Sequence, residues 1–363
     1  MLRLKKAKRG SLLLIIAFFS SFAFSFSSNT HQDSPSIVEQ VNPANSSEKT
    51  VVSVPKPDIA FHLKNELDEM SEFNRNGKYK KTVTFYEENV MSLVEGCNIS
   101  QCMLILQKAS NAYMMLQKMD EALKLISLME IWVDGPEAKV DKLINGKVRL
   151  AIAQAYARTG KYNFAVPQIR AAIEIYKDRS FFTEEMSIKG LSTSYTYGGN
   201  TYYVMGDYET SIDFYKHASP YVYAENNLTD IALLEHNMAS AYYLSENWDL
   251  AKEYGERAIV KSRAAGSDVF LAYSYLVLAK ALNKLSDPNG AILAANESVR
   301  IFEEQKDYGQ TLESLAYRTQ FQMDLDDWES ALNDANRMEK IINAEKLNIE
   351  LDKIFEVIFS VNE

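Results

Sequence analysis

The chain has 363 residues, of which 47% are hydrophobic, and its formal net charge is −10. This hydrophobic content is enough to build a core and excludes global disorder. Glycine (14 residues) and proline (8 residues) are scarce, which favours long helices over a β architecture rich in turns. The acidic charge argues against nucleic acid or an anionic membrane surface as the partner.

The N-terminus has the pattern of a secretory signal peptide. Basic residues between Arg3 and Arg9 precede an apolar stretch that runs from Leu12 to about Phe26 and ends among small residues. This stretch is about 15 residues long, which is shorter than the ~20 residues needed to span a bilayer. We therefore predict a cleaved signal peptide over residues 1–27, with an uncleaved membrane anchor as the alternative.

Export follows from this segment. Residues 1–28 carry five positive charges and no negative ones, so their removal changes the net charge from −10 to −15. We predict an exported protein of the periplasm of a Gram-negative bacterium, or one anchored to the inner membrane by the N-terminal segment. A eukaryotic secretory route leaves a similar signature. No later apolar stretch in the sequence reaches spanning length, so no other direct contact with a membrane is expected.

The next segment, residues 28–57, contains four prolines and shows no apolar periodicity. This composition is typical of a disordered linker, and we interpret it as a tether between the signal peptide and the folded body.

The only two cysteines, Cys97 and Cys102, lie five residues apart. An exported protein meets an oxidising compartment, where a close pair tends to form a disulfide. We predict a disulfide that fixes a loop between two helices, with two buried thiols as the alternative. Two ligands without a neighbouring histidine do not make a closed zinc site, so no metal is expected here.

From residue 58 onward, apolar residues recur at helical spacing and the pattern itself repeats. Tyr202 is followed by Ser211, and forty residues later Tyr242 is followed by Ala251. The unit that begins at Ser192 carries Gly199, Tyr202, Gly206, Tyr208, Ser211, Tyr215 and Ala218 at its eighth, eleventh, fifteenth, seventeenth, twentieth, twenty-fourth and twenty-seventh positions.

This spacing resembles the tetratricopeptide repeat (TPR) family. The resemblance implies an all-α fold, a right-handed superhelical solenoid of antiparallel helix pairs. Seven units would begin near residues 63, 103, 146, 192, 232, 272 and 312 and fill residues 58–345. The spacing of 40 to 46 residues exceeds the usual ~34, which indicates longer helices or loops. We interpret residues 346–363 as a C-terminal capping helix; the alternative is a helix that continues toward a partner or a dimer.

The sequence contains no recognisable catalytic or cofactor motif. Its four histidines have no metal-ligand spacing, and neither a glycine-rich phosphate loop nor a nucleophile elbow is present. We therefore predict a protein that is not an enzyme and uses no cofactor.

The family resemblance implies that the first helix of each unit lines a concave groove, where a partner would bind. The tyrosines at the groove positions would either contact the partner or pack on the next helix. The predicted groove residues are Arg158, Asn200, Tyr203, His236, Asn237, Tyr243, Tyr273, Lys280 and Asn283. Some TPR domains grip a C-terminal carboxylate with lysine and asparagine, but Thr196, Tyr273 and Val277 replace the cations of that clamp here.

The leading hypothesis is an exported TPR scaffold or adaptor that binds a protein or peptide in this groove. The alternative is a sensor-like TPR module that binds a small ligand or regulates a membrane signalling protein. Its layout is similar to the exported sensor region of bacterial diguanylate cyclases, without the cyclase domain. The oligomeric state does not follow from the sequence.

Overall fold

The computed structural model describes residues 67–74, 76–90, 99–136, 141–345 and 347. The predicted signal peptide, the tether, Cys97 and all of the predicted capping helix except Leu347 lie outside these residues.

The described residues form fourteen α-helices and no strand. A π-helical turn, Tyr86–Val90, follows the second helix. The helices are α1 (67–74), α2 (Tyr79–Phe85), α3 (Ile99–Met115), α4 (Met119–Val133), α5 (Lys142–Arg158), α6 (Tyr162–Lys177), α7 (Glu184–Met205), α8 (Tyr208–Glu225), α9 (Leu228–Leu244), α10 (Trp248–Ala265), α11 (Asp268–Lys284), α12 (Pro288–Glu304), α13 (Tyr308–Met323) and α14 (Trp328–Ala344).

These helices confirm the predicted all-α architecture of about seven helix pairs. The pairs start at odd-numbered helices, so α9 and α10 make one unit and α11 and α12 make the next. Helices α9, α11 and α13 each start four residues before the predicted start of their unit, because the first helical turn precedes the signature residues. Helix α7 starts eight residues early, where Thr183 caps it by accepting a hydrogen bond from the Met186 amide.

The turn within each unit has one recurring geometry. Gly206 has φ +80°, its N–H donates to the Tyr203 carbonyl at 3.0 Å, and the Asp207 N–H donates to the Tyr202 carbonyl at 3.0 Å. These two bonds close the helix with a left-handed residue that satisfies its last carbonyl groups. The fifteenth position of every unit has positive φ, and the residues there are Gly77, Gln117, Gly160, Gly206, Glu246, Ser286 and Asp326.

Small residues let the two helices of a unit approach closely. A Cβ added to Gly199 would overlap the ring of Tyr215, and one added to Gly198 would overlap Phe214. Ala251 and Ala165, the small residues of neighbouring units, are fully buried. The close packing of these positions therefore follows directly from side-chain size.

The described residues divide into two compact units. The N-terminal unit ends at Ala155 and the C-terminal unit begins at Tyr156. Within each unit, helices pack chiefly on their neighbours in sequence, as expected for a repeat array. Over the part of the chain that is described, no helix is both long and apolar enough to cross a membrane.

Candidate binding groove

The C-terminal unit gathers most of the predicted groove residues on one surface. They come from the first helices of consecutive pairs, α7, α9 and α11, and α13 adds two residues to them. We call this surface the polar face; it consists of Asn200, Tyr203, His236, Asn237, Tyr243, Tyr273, Lys280, Asn283, Glu313 and Tyr317.

Two asparagines connect α7 and α9. The Asn237 Nδ2 donates to Asn200 Oδ1 at 3.2 Å, and the Tyr215 hydroxyl donates to the same oxygen at 2.6 Å. The oxygen of Asn200 is therefore committed to the protein itself. Its Nδ2 is buried and has no hydrogen-bond partner among the described residues, which leaves one donor of the face unsatisfied.

Lys280 is the cation at the centre of the polar face. Its side chain is 15% exposed, its Nζ lies 3.2 Å from Glu313 Oε1, and the Tyr317 ring centroid is 4.0 Å away. Burial alone lowers the pKa of Lys280, but the Tyr317 hydroxyl and the Glu313 carboxylate raise it, and the net pKa is above its ordinary value. The residue therefore keeps its charge at every physiological pH.

His236 faces the same space in its neutral form. Burial, followed by the charge of Lys280, lowers the pKa of His236 to about 4. The ring centroid lies 5.9 Å from that of Tyr273, and Nδ1 is buried without a hydrogen-bond partner in the described part of the chain. A neutral imidazole has one donor and one acceptor nitrogen, so it suits a ligand with both kinds of group.

The tyrosines of the polar face differ in burial and in the groups they contact. Tyr243 is 9% exposed and belongs to a core cluster, and burial raises its pKa to about 12. Tyr273 packs edge-on against Phe302 at 5.0 Å between ring centroids. Tyr203 is half-buried, and its hydroxyl interacts electrostatically with Lys280, so it is the tyrosine of α7 that faces the lysine.

Two predicted residues lie toward the edges. Asn283 donates to Asp324 Oδ2 at 2.9 Å, and Gln320 donates to the other oxygen of the same carboxylate at 2.7 Å. Arg158 ends α5; burial raises the pKa of the half-buried Tyr197 of α7, and the charge of Arg158 partly opposes that rise.

The structure also contains ion pairs that sequence reasoning missed. Glu235 is 1% exposed and accepts from Arg257 Nη2 at 2.6 Å and from the Tyr223 hydroxyl. Arg318 donates to both oxygens of Asp334, at 2.6 and 2.7 Å. Charged residues occur on every helix, so only the contact between helices distinguishes these pairs from solvated ones.

The structure describes one of the two cysteines. Cys102 belongs to α3 and is disulfide-bonded, whereas Cys97 is outside the described residues. Among the residues described, no group of three or more histidine, cysteine, aspartate or glutamate side chains is placed to hold a metal ion.

Comparison with solved structures identifies the fold. The apo form of RapI matches with a TM-score of 0.60 at 16% identity, covering 82% of this chain and 80% of that one. A Rap protein complexed with competence and sporulation factor matches with a TM-score of 0.56 at 14% identity, covering 81% and 80%.

A third similar structure names the repeat. It is a signal transduction ATPase with numerous domains and a tetratricopeptide repeat sensor, from Pyrococcus horikoshii. The TM-score is 0.57 at 16% identity; the match covers 81% of this chain and 46% of that chain, about half its length. No family model and no curated protein matches the sequence. The repeat spacing, the helix pairs and these structures together show that the chain has the tetratricopeptide repeat fold.

Proposed function

We propose that this chain is an exported, non-catalytic TPR adaptor that binds a protein or peptide on the polar face of its C-terminal unit. The observation that carries the proposal is the convergence of polar groups from four helices, with the buried Asn200 Nδ2 and His236 Nδ1 lacking hydrogen-bond partners among the described residues. Buried polar groups without partners are rare in proteins, and a bound ligand is one way to satisfy them.

The chemistry of the face suits a peptide. Amide and imidazole groups pair with backbone N–H and C=O groups, and Tyr203 offers a rigid ring at low entropic cost. Lys280, the cation of the polar face, adds a charged contact that sets orientation. Two of the similar structures support a binding role, because one is a Rap protein in complex with a factor and the other is described as having a TPR sensor.

Selection of peptides tests the binding face. A peptide library displayed on phage is panned against the protein, and the enriched peptides are titrated into variants. Ser240→Trp places a bulky ring between His236 and Tyr243 on α9, and we expect it to weaken binding roughly tenfold or more. The matched control is Val260→Trp on α10, whose parent side chain is 64% exposed.

The Val260→Trp control shows whether a loss of binding is specific to the polar face. Val260→Trp should bind like the wild type, and both variants should keep the helical circular dichroism of the parent. Equal affinity of Ser240→Trp and Val260→Trp would place the peptide elsewhere and remove the polar face as the binding site.

Export requires a separate experiment. Residues 1–66 are fused to an alkaline phosphatase that is active only outside the bacterial cytoplasm, and the fusion should be active. The control fusion replaces Leu12 to Ile16 with polar residues. An inactive wild-type fusion would contradict export, and a cleaved product of reduced mass would separate signal peptide from anchor.

One observation favours a small ligand as a second candidate. A single lysine of α11, Lys280, interacts electrostatically with Tyr203 of α7, Tyr243 of α9 and Tyr317 of α13, so polar groups of four helices converge on one cation. A thermal-shift screen of metabolites distinguishes the candidates. Stabilisation by a metabolite, lost in Ser240→Trp and without any enriched peptide, would support the sensor-like function over the adaptor.

A further inference from the structure

Lys280 of the polar face forms an ion pair with Glu313, and the two side chains are fixed by different numbers of contacts. Lys280 is 15% exposed, it is covered by the Tyr317 ring, and its charge acts on Tyr203 and Tyr243. Glu313 is 26% exposed, and within the described residues its only hydrogen bond or ion pair is the one to Lys280. The cation is therefore fixed by its surroundings, whereas the carboxylate depends on one contact.

The neighbouring polar groups point to a ligand at this position. His236 Nδ1 is buried without a partner among the described residues, and the charge of Lys280 acts on that ring. The buried Nδ2 of Asn200 is likewise unpaired among the described residues. The Oδ1 of the same side chain accepts a hydrogen bond from Asn237, which follows His236 in the sequence. Each unpaired buried group costs stability, and a ligand that pairs with these groups would remove that cost.

We propose that Glu313 is an internal substitute for a ligand carboxylate, which displaces it from Lys280 when the ligand binds. The inference rests on the proposed function, because it assigns the chemistry of a ligand on the same face. The ligand is a peptide that presents a carboxylate, either at its C-terminus or on an aspartate or glutamate side chain.

Charge balance is the physical reason for an exchange. Removing Glu313 without a replacement would leave a buried ammonium unpaired, which is costly. A ligand carboxylate restores the pair, and the displaced glutamate already has access to water. A basic ligand would meet Lys280 with like charge, so the pair also selects against cationic peptides.

The position differs from the carboxylate clamp considered for the sequence. That clamp would need cations where this chain has Thr196, Tyr273 and Val277, and Val277 is buried in the core. Lys280 is on a different turn of α11, and its partner is on α13. The recognition element inferred here is therefore specific to this chain's own contacts.

Three probe peptides distinguish the sources of the carboxylate. Acetyl-Gly-Gly-Gly has a C-terminal carboxylate, acetyl-Gly-Asp-Gly amide has one only on its side chain, and acetyl-Gly-Gly-Gly amide has none. They are titrated into protein labelled with ¹³C-lysine, and the Cε signal of Lys280 is assigned by its loss in Lys280→Met. We expect at least one carboxylate peptide to move this signal and the uncharged peptide to leave it unchanged.

The variant Glu313→Gln removes the competing charge and keeps the shape of the side chain. It should bind the carboxylate peptide about tenfold more tightly than the wild type, because no resident anion has to be displaced. Glu303→Gln is the matched control, since Glu303 forms an equivalent ion pair with Arg337 at 2.6 Å on the second helices. It should bind like the wild type.

Two results would overturn the inference. Equal affinity of the wild type and Glu313→Gln would show that Glu313 does not compete, and a Lys280 signal unmoved by every carboxylate peptide would show that the lysine is not an anion site. Glu313→Ala repeats the measurement if Glu313→Gln does not fold. Loss of peptide binding in Ser240→Trp is measured independently of Lys280, so a failed exchange and a failed binding face give different results.

Discussion

The two units bury different kinds of polar side chain. In the described residues of the N-terminal unit, the buried polar side chains are uncharged, and the carboxylate that pairs with Arg149, Asp134, is 72% exposed. The C-terminal unit buries two carboxylates, Glu235 at 1% and Asp334 at 2% exposure, and each one pairs with an arginine.

The apolar core of the N-terminal unit is also distinctive. The N-terminal unit fills its described core with flexible and aliphatic side chains, such as Met103, Met114, Ile126 and Met129. Such side chains adapt to irregular gaps, whereas a bidentate ion pair accepts only one alignment of two helices. One repeat pattern is thus stabilised in two ways, and the candidate binding face occurs where the alignment is the more strictly defined.

The largest loss of stability is expected from breaking a buried ion pair. Asp334→Ala leaves Arg318, which is 12% exposed, without its two charged hydrogen bonds, and should lower the free energy of unfolding by about 3–5 kcal/mol. Asp134→Ala in the N-terminal unit should cost about 1 kcal/mol or less, because that carboxylate is largely solvated. Urea denaturation measures both.

Tryptophan fluorescence assigns the transition to a unit, since Trp132 belongs to the N-terminal unit and Trp248 and Trp328 to the C-terminal one. Replacing both Arg318 and Asp334 with apolar residues of similar volume should recover much of the lost stability. Equal losses in Asp334→Ala and Asp134→Ala would show that the buried charge does not distinguish the units.

A second prediction concerns acidic pH. The pKa of His236 is about 4 in the folded chain and about 6.5 when unfolded, so the unfolded state takes up a proton first as the pH falls. His236 therefore costs the folded state stability between pH 6.5 and pH 4, up to about 3 kcal/mol.

The measurement compares urea denaturation of the wild type and His236→Gln from pH 7 to pH 4. The difference in unfolding free energy should change in favour of the variant as the pH falls. No described residue of the N-terminal unit is a histidine, so the effect should appear in the C-terminal unit. A difference that is constant with pH would mean that His236 is solvated.

The smallest expected effect tests the close approach of α7 and α8. Gly199→Ala should lower stability by about 1–3 kcal/mol, because its Cβ overlaps the Tyr215 ring and that ring is fully buried. Gly255→Ala is the control, since its Cβ would meet Leu278 at 3.5 Å, an ordinary contact. That change should raise stability by about 0.5–1 kcal/mol through helix propensity.

Thermal unfolding, monitored by circular dichroism, shows whether each glycine variant gains or loses stability. If both glycine variants melt alike, the packing of Gly199 does not decide the distance between the helices.

Local periodicity was sufficient to predict the repeats. The helices and the small residues at repeating positions follow from spacing along a helix, which depends only on 3.6 residues per turn. The grouping of Asn200, His236 and Lys280 on one face is what the family resemblance implies. The turn within the unit has a glycine in the left-handed conformation at Gly206, but Glu246 has the same conformation, because the hydrogen bonds that close the helix impose it on whichever residue is there.

Contacts between helices were decided only by the tertiary structure. The pairs Lys280–Glu313 and Arg318–Asp334 join residues of different helices, and nothing in the local pattern marks which charges meet. Tyr243 was predicted in the groove, yet it is 9% exposed within the core, since a tyrosine on an inner helix also fits between neighbours. The sequence by itself determined the helices and their repeat, because those are local properties. Packing decided which side chains are buried, paired or left with unpaired polar atoms, because those depend on distances between helices far apart in sequence.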